Sequence, residues 1–390
     1  MKKTLLLVVF ALLTMVGIAK PVDQNTARRV AETYMQAAGM RNVAALADIT
    51  SQTPFTAFYV FAAEEGGFIL VSADDCVLPV LGYSLTTRFE VKDMPVYLRR
   101  WLESYEEQIV FYSRRYSNGP QYEGDPMREQ WQQLAAGRVP APMLPTAVAP
   151  LVSTTWNQSP LYNDLCPFDS AANRPAVAGC TAIAMSQIMK YWNHPAVGYG
   201  SRSYVCDNGD TNFGVLSANF GATTYDWINM PTALTGASSA TEINAVATLV
   251  YHVGVAVEMN YSVSGSGAAT NNAGRVDRAS AENALYRYFK YQPTLHTIYM
   301  GDYSNEEWGS LLRAELDANR PMLYTGYDTS AGHAFVFDGY DNNGQFHINW
   351  GWGGWCDGYY TVGDLHPASG GIGGNSTYTF NLSNFALIGI

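Results

Sequence analysis

The chain has 390 residues, 47% hydrophobic and 15% charged, enough apolar material for a large core and far from a disordered composition. A formal charge of −11 leaves no positive surplus to neutralise phosphates and excludes a nucleic-acid binder. The length suits two domains, and 26 Tyr, 9 Trp and 35 Gly point to a strand-rich, turn-rich body.

In chain order, Lys2 and Lys3 precede an apolar run, Leu5 to Val16, and Gly17-Ile18-Ala19 follows with small residues at the usual cleavage offsets. The run is too short to cross a bilayer of about 30 Å with normal flanks, so residues 1–19 read as a cleaved secretory signal. No later stretch reaches about 18 uninterrupted apolar residues, so the mature chain is expected to have no membrane span. The expected destination is extracellular, with the periplasm as the alternative.

Val22 to Met40 has a helical pattern, with Val30, Tyr34 and Ala37 on one side and Gly39 near the end. Phe58 to Phe61, a Glu-Glu-Gly-Gly turn and Phe68 to Val71 predict strand, turn, strand. A second long helix is expected from Pro95 to Arg115, through Leu98, Trp101, Leu102, Tyr105 and Ile109. Together these make a small α+β unit, residues 20–140. The stretch 136–150 holds four prolines and no periodicity, so it predicts an exposed, extended linker open to proteolysis. Residues 141–390 form the second unit, in which 264–274, rich in Gly, Ser and Asn, reads as a flexible loop.

Five cysteines leave at least one thiol free, which an exported protein must account for. In GCTAIAMSQIMKYWNHP (179–195), Ala182, Met185, Met189 and Trp192 mark a buried helix stopped by Pro195. Cys180 stands in its first turn, where unpaired N–H groups and the helix dipole favour a thiolate. Its pKa is expected to fall below the free value of about 8.5. The alternative is a small buried residue or half a disulfide. Of six histidines, His333 opens the strand HAFVFDGY (333–340) and can project into a cleft as a general base. His347, within QFHINW (345–350) and on the face of Asn349, is its rival. Local context favours His333. His194, His252, His296 and His366 have no suggestive setting. Cys166, Cys206 and Cys356 lack zinc-ligand spacing, and their pairing is open.

Five motifs in order, WNQSPLYNDLCP (156–167), GCTAIAMSQIMKYW (179–192), GVAVEMNY (254–261), GHAFVFDGY (332–340) and HINWGWGG (347–354), resemble the streptopain family of cysteine peptidases. GFILVSADDCVLPVLGYS (67–84) resembles that family's inhibitory pro-segment. The resemblance implies an α+β, papain-like fold, with a helical part carrying Cys180 and an antiparallel sheet carrying His333, behind a small α+β pro-domain. It further implies a Cys180 thiolate paired with a His333 imidazolium, and Gln158 with the Cys180 N–H as oxyanion donors. Asn349 stands where papain-type enzymes place the residue that orients the imidazole, with Trp350 and Trp352 as support. Peptide or protein substrates are implied, with an apolar pocket for the side chain preceding that at the scissile bond. Its walls are expected from 262–274, with Ser264 and Gly265, and from 328–332, with Gly332. No metal or organic cofactor is required. The pro-domain is expected to inhibit in cis until the linker is cut, by the enzyme itself.

Two rivals remain at this stage. A Cys/His amidase or acyl transferase would share the order of nucleophile and base, yet usually adds an Asp after the His. A non-enzymatic adhesin would suit the aromatic, Gly-rich C-terminal half but leaves Cys180 and the pro-segment without a role.

Overall fold

The computed structural model describes residues 20–92, 94, 96–116, 126–327, 332–365 and 384–390. The expected signal (1–19), His366 and positions 328–331 of the expected pocket wall lie outside them. Among the described residues no helix is long and apolar enough to cross a membrane.

The N-terminal region runs α1 (Gln24–Ala38), β1 (Ala47–Asp48), β2 (Phe58–Ala62), β3 (Phe68–Ser72), β4 (Val80–Ser84), α2 (Val96–Tyr116) and α3 (Pro126–Ala135). Asp23 caps α1 by accepting the Asn25 and Thr26 N–H groups, and Gly39 ends it at φ +107°. Helix α3 had no counterpart in the sequence reading.

The C-terminal region opens with β5 (Phe168–Asp169), β6 (Arg174–Pro175) and α4 (Cys180–Trp192), followed by the hairpin β7 (Ser201–Asp207) and β8 (Asn212–Asn219). Then come α5 (Ala240–Ala256), α6 (Ala281–Phe289), β9 (His296–Tyr299), α7 (Asn305–Asp317) and β10 (Met322–Tyr327). The chain finishes with β11 (Gly332–Tyr340), β12 (Phe346–Asn349), β13 (Gly358–Tyr360) and β14 (Phe385–Ile388). Capping boxes start α5, from Ser239 and Glu242, and α7, from Ser304 and Glu307.

The two regions are less separate than their composition suggests. One ten-stranded sheet runs β1-β2-β3-β4-β13-β12-β11-β10-β14-β9, so the N-terminal strands continue the C-terminal sheet. The seam is antiparallel, Tyr83 opposite Tyr359 and Gly82 opposite Tyr360. Glycine is needed on both sides of it. A Cβ on Gly82 would lie 2.9 Å from the Tyr359 carbonyl oxygen, and one on Gly358 would lie 2.5 Å from that of Tyr83.

Alternation along the strands sends neighbouring residues into different cores. Ala334 and Val336 of β11 join α4 and α5 on one face. Phe335 and Phe337 go to the other face, in a core that also holds Trp101 and Tyr105 of α2 and Trp308 of α7. A third core lies between α1, α3 and β2–β4. Among the described residues, the histidine side of the sheet is therefore packed by the N-terminal region and the cysteine side is not.

Candidate active site

Helix α4 is apolar almost all round, with Ala182, Ile183, Met185, Ile188 and Met189 fully or nearly fully buried. It is anchored as a core helix, and its first residue, Cys180, is half-buried at the open end. Gly179 caps that end at φ +88° with no side-chain hydrogen bond. A Cβ there would meet the Met259 Sδ at 2.7 Å, so only glycine lets the chain pass under Met259. The Gln158 carbonyl accepts from the Ala178 N–H at 3.1 Å, which seats this residue beside the helix start.

The stretch 262–274 is tied to the same helix start, where a flexible loop was expected. Ser266 Oγ donates to the Val177 carbonyl at 2.6 Å, Thr181 Oγ1 to that of Ala268 at 3.3 Å, and Asn260 bridges Gly267. Serine hydroxyls competing for local backbone groups turn a flexible composition into a fixed turn. Ser264 is exposed and bonds the Ser262 hydroxyl at 3.0 Å, and Gly265 faces open space. Gly332 pairs with Tyr327 at the start of β11.

The sulfur of Cys180 accepts a hydrogen bond from the Ala334 N–H at 3.5 Å. The nucleophile candidate thus touches the main chain beside His333. The imidazole itself lies elsewhere. It follows the odd positions of β11 to the opposite face, stacked on Phe335 at 5.7 Å and Trp352 at 5.6 Å between ring centres. Its Nε2 lies 3.2 Å from the Trp350 carbonyl oxygen and 3.3 Å from Trp352 Nε1. An Nε2–H tautomer donates to the carbonyl, and an Nδ1–H tautomer accepts from the indole N–H. Behind this group, Trp101 of α2 makes edge contacts with Phe335 at 6.1 Å and Trp350 at 5.9 Å.

Burial sets the charge of both groups in the full-length chain. It pushes the Cys180 thiol up, against the pull of hydrogen bonds from the Ala334 and Thr181 N–H groups. It pushes His333 down to about 3, against the Trp350 carbonyl bond. In the full-length chain the thiol is thus raised, not lowered as its place at the helix start suggested, because desolvation outweighs the helix end.

Asn349 also departs from its expected place. It does not reach the imidazole. Its Nδ2 donates to the Thr154 carbonyl at 2.7 Å, and its Oδ1 accepts from the Gly351 N–H at 3.1 Å and Gln187 Nε2 at 3.0 Å. Trp350 and Trp352 bond His333 instead. The rival histidine, His347, sits away from the sulfur and pairs with buried Asp338 at 2.6 Å. Burial opposes its charge, but Asp338 prevails and the pKa rises. Asp357 beside it, pushed up to about 7 by burial, accepts the Trp350 N–H at 2.8 Å.

Cys166, Cys206 and Cys356 form no disulfide, which answers the question left open for them. His252 is a core histidine bonded to the Tyr225 hydroxyl at 3.2 Å. Two groups around the site were missed. Gln187, a polar residue on an apolar helix two turns after Cys180, was a visible anomaly in the sequence. Asp357 follows the Trp-Gly run in a turn and carried no comparable signal.

Comparison with known proteins agrees with this geometry. Residues 156–360 match the Peptidase C10 family, and residues 19–109 match the Spi protease inhibitor family. Streptopain of Streptococcus pyogenes serotype M1 is 31% identical, with 100% of this chain and 99% of streptopain covered. The thiol protease/hemagglutinin PrtT of Porphyromonas gingivalis is 35% identical over 81% of this chain, which spans only 35% of PrtT. Among solved structures, the Prevotella intermedia prointerpain A fragment superposes with a TM-score of 0.68 at 30% identity, covering 88% of this chain and 98% of that one. Active interpain A gives a TM-score of 0.53 at 32% identity, covering 64% and 96%. The chain belongs to the Peptidase C10 family, the cysteine peptidases of streptopain type, and carries the inhibitor-like N-terminal region of a zymogen.

Proposed function

We propose that the protein is an exported cysteine endopeptidase whose full-length form is latent, with residues 1–19 as signal, 20 to about 140 as inhibitory region and the rest as peptidase. The observation that carries the reading is the Cys180 sulfur, at the tip of a buried helix, held 3.5 Å from the N–H that follows His333. Removing α2 withdraws Trp101 from the aromatic group on which His333 rests.

In the mature enzyme the His333 imidazole takes the Cys180 proton, and the thiolate attacks the scissile carbonyl. Negative charge on the carbonyl oxygen is met by the Gln158 side chain and the Cys180 N–H. His333 returns the proton to the leaving amine as the C–N bond breaks, leaving a thioester. Water, deprotonated by His333, then releases the acid and restores the thiol. Trp350 and Trp352 hold the imidazole, while Asn349 holds the segment that carries them. Ser264, Gly265 and Gly332 border the substrate strand, small enough for close approach by an extended peptide.

Maturation takes place in 136–150. Most of this stretch is exposed, as expected, although Val148 exchanges two hydrogen bonds with Tyr340 of β11. The test is incubation of the purified precursor with and without reductant, with N-terminal sequencing of the fragments. Reductant-dependent cuts in 136–150 that vanish in Cys180→Ala support the reading. A precursor fully active with its linker intact overturns it.

A further inference from the structure

Gln187 is fully buried on α4, two turns beyond Cys180, and uses both ends of its amide. Its Oε1 accepts from Thr154 Oγ1 at 3.0 Å and the Trp156 N–H at 3.1 Å, and lies 3.3 Å from Asn349 Nδ2. Its Nε2 donates to Asn349 Oδ1 at 3.0 Å. Backbone groups fix both amides without ambiguity. The Trp156 N–H can only donate, so Gln187 must present oxygen to it. The Thr154 carbonyl can only accept and the Gly351 N–H can only donate, so Asn349 is fixed in turn.

Three pieces of the active site meet at this pair. One is α4, which carries Cys180. Another is the stretch 154–158, which ends at Gln158. The third is 349–352, whose Trp350 carbonyl and Trp352 indole hold His333. A buried, fully satisfied amide pair is rigid and directional in a way an apolar contact is not.

We propose that Gln187, acting through Asn349, is a positioning residue for catalysis: it sets the oxyanion strand and the imidazole-holding segment relative to the nucleophile. The proposal rests on the assignment of Cys180, His333 and Gln158 given above. Glutamate cannot replace Gln187, because a carboxylate would face the Asn349 and Thr154–Trp156 groups with acceptors only and would lose the donor to Asn349 Oδ1. Methionine fills the space but offers neither partner.

The experiment compares wild type, Gln187→Met, Gln187→Glu and Ser186→Ala, each matured in trans by wild-type enzyme so that self-processing is not required. Ser186 is the adjacent buried residue and controls for packing. Both Gln187 variants should lose on the order of 10–100-fold in kcat, the scale of a small misplacement of reacting groups. KM should stay within about twofold, while Ser186→Ala matches wild type. Wild-type rates in the Gln187 variants overturn the proposal, as does a rise in KM with kcat unchanged. If neither Gln187 variant folds, the residue is a folding determinant and the proposal is also overturned. Iodoacetamide labelling of mature wild type separates the two levels: if Cys180 is not the labelled residue, the underlying assignment fails, whatever the Gln187 variants do.

Discussion

The two faces of the sheet differ in what completes them. The face toward α4 is closed by the peptidase's own helices, with Ala182, Ile183, Met185 and Val253 packed on Ala334 and Val336. The opposite face, where His333 lies with Phe335 and Trp350, shares its core with Trp101, Tyr105 and Ile109 of the N-terminal region. On the proposed function, the nucleophile's surroundings survive maturation, whereas the packing behind the histidine loses Trp101, Tyr105 and Ile109. Latency on that reading comes from holding the base on the face away from the sulfur.

Substitutions can break or sharpen this contrast. The largest effect is expected for Cys180→Ala, which removes the proposed nucleophile and should abolish turnover of any peptide substrate while leaving the precursor folded by circular dichroism. Gln158→Ala should lower kcat by about 10²–10³, the worth of one oxyanion donor, measured on a fluorogenic peptide with matured enzyme. Trp101→Ala in the Cys180→Ala precursor opens a cavity against Phe335 and Trp350 and should cost about 3–5 kcal/mol in urea unfolding. The same change in the active chain should speed maturation. Ile183→Val, on the other face, should cost only about 0.5–1.5 kcal/mol and do so equally in precursor and mature enzyme. A Trp101→Ala penalty in the precursor no larger than that of Ile183→Val would erase the distinction between the faces.

The elements with strong periodicity were legible from sequence: α1, α2 and α4 formed within a residue or two of their expected bounds, because each has one clear apolar pattern and a recognisable stop. Cys180 was legible for the same reason, as the first residue of such a helix. His333 was legible from its strand, but the face it takes was not. That face depends on Phe335, Trp352 and, behind them, a helix more than two hundred residues earlier, none of which local spacing reports. The shared sheet was hidden likewise, since the seam rests on Gly82 and Gly358, two glycines among 35. The partners of Asn349 were not legible either: in the full-length chain the buried Gln187 and the Thr154 carbonyl bond its amide, and both come from elements distant in sequence.

Charge state gives the most direct test of the account, because neutral thiol and imidazole in the precursor follow from their placement on separate faces and a thiolate–imidazolium pair follows from their union. The measurement is the rate of Cys180 alkylation by iodoacetamide as a function of pH, in the intact precursor and in the matured enzyme, with fragments mapped by mass spectrometry. The precursor should react slowly at neutral pH and gain rate only above the ordinary thiol range, in keeping with a pKa raised by burial. The matured enzyme should react fast on a plateau that extends well below pH 7. Identical profiles in the two forms, with the precursor already showing the acidic plateau, would contradict the account.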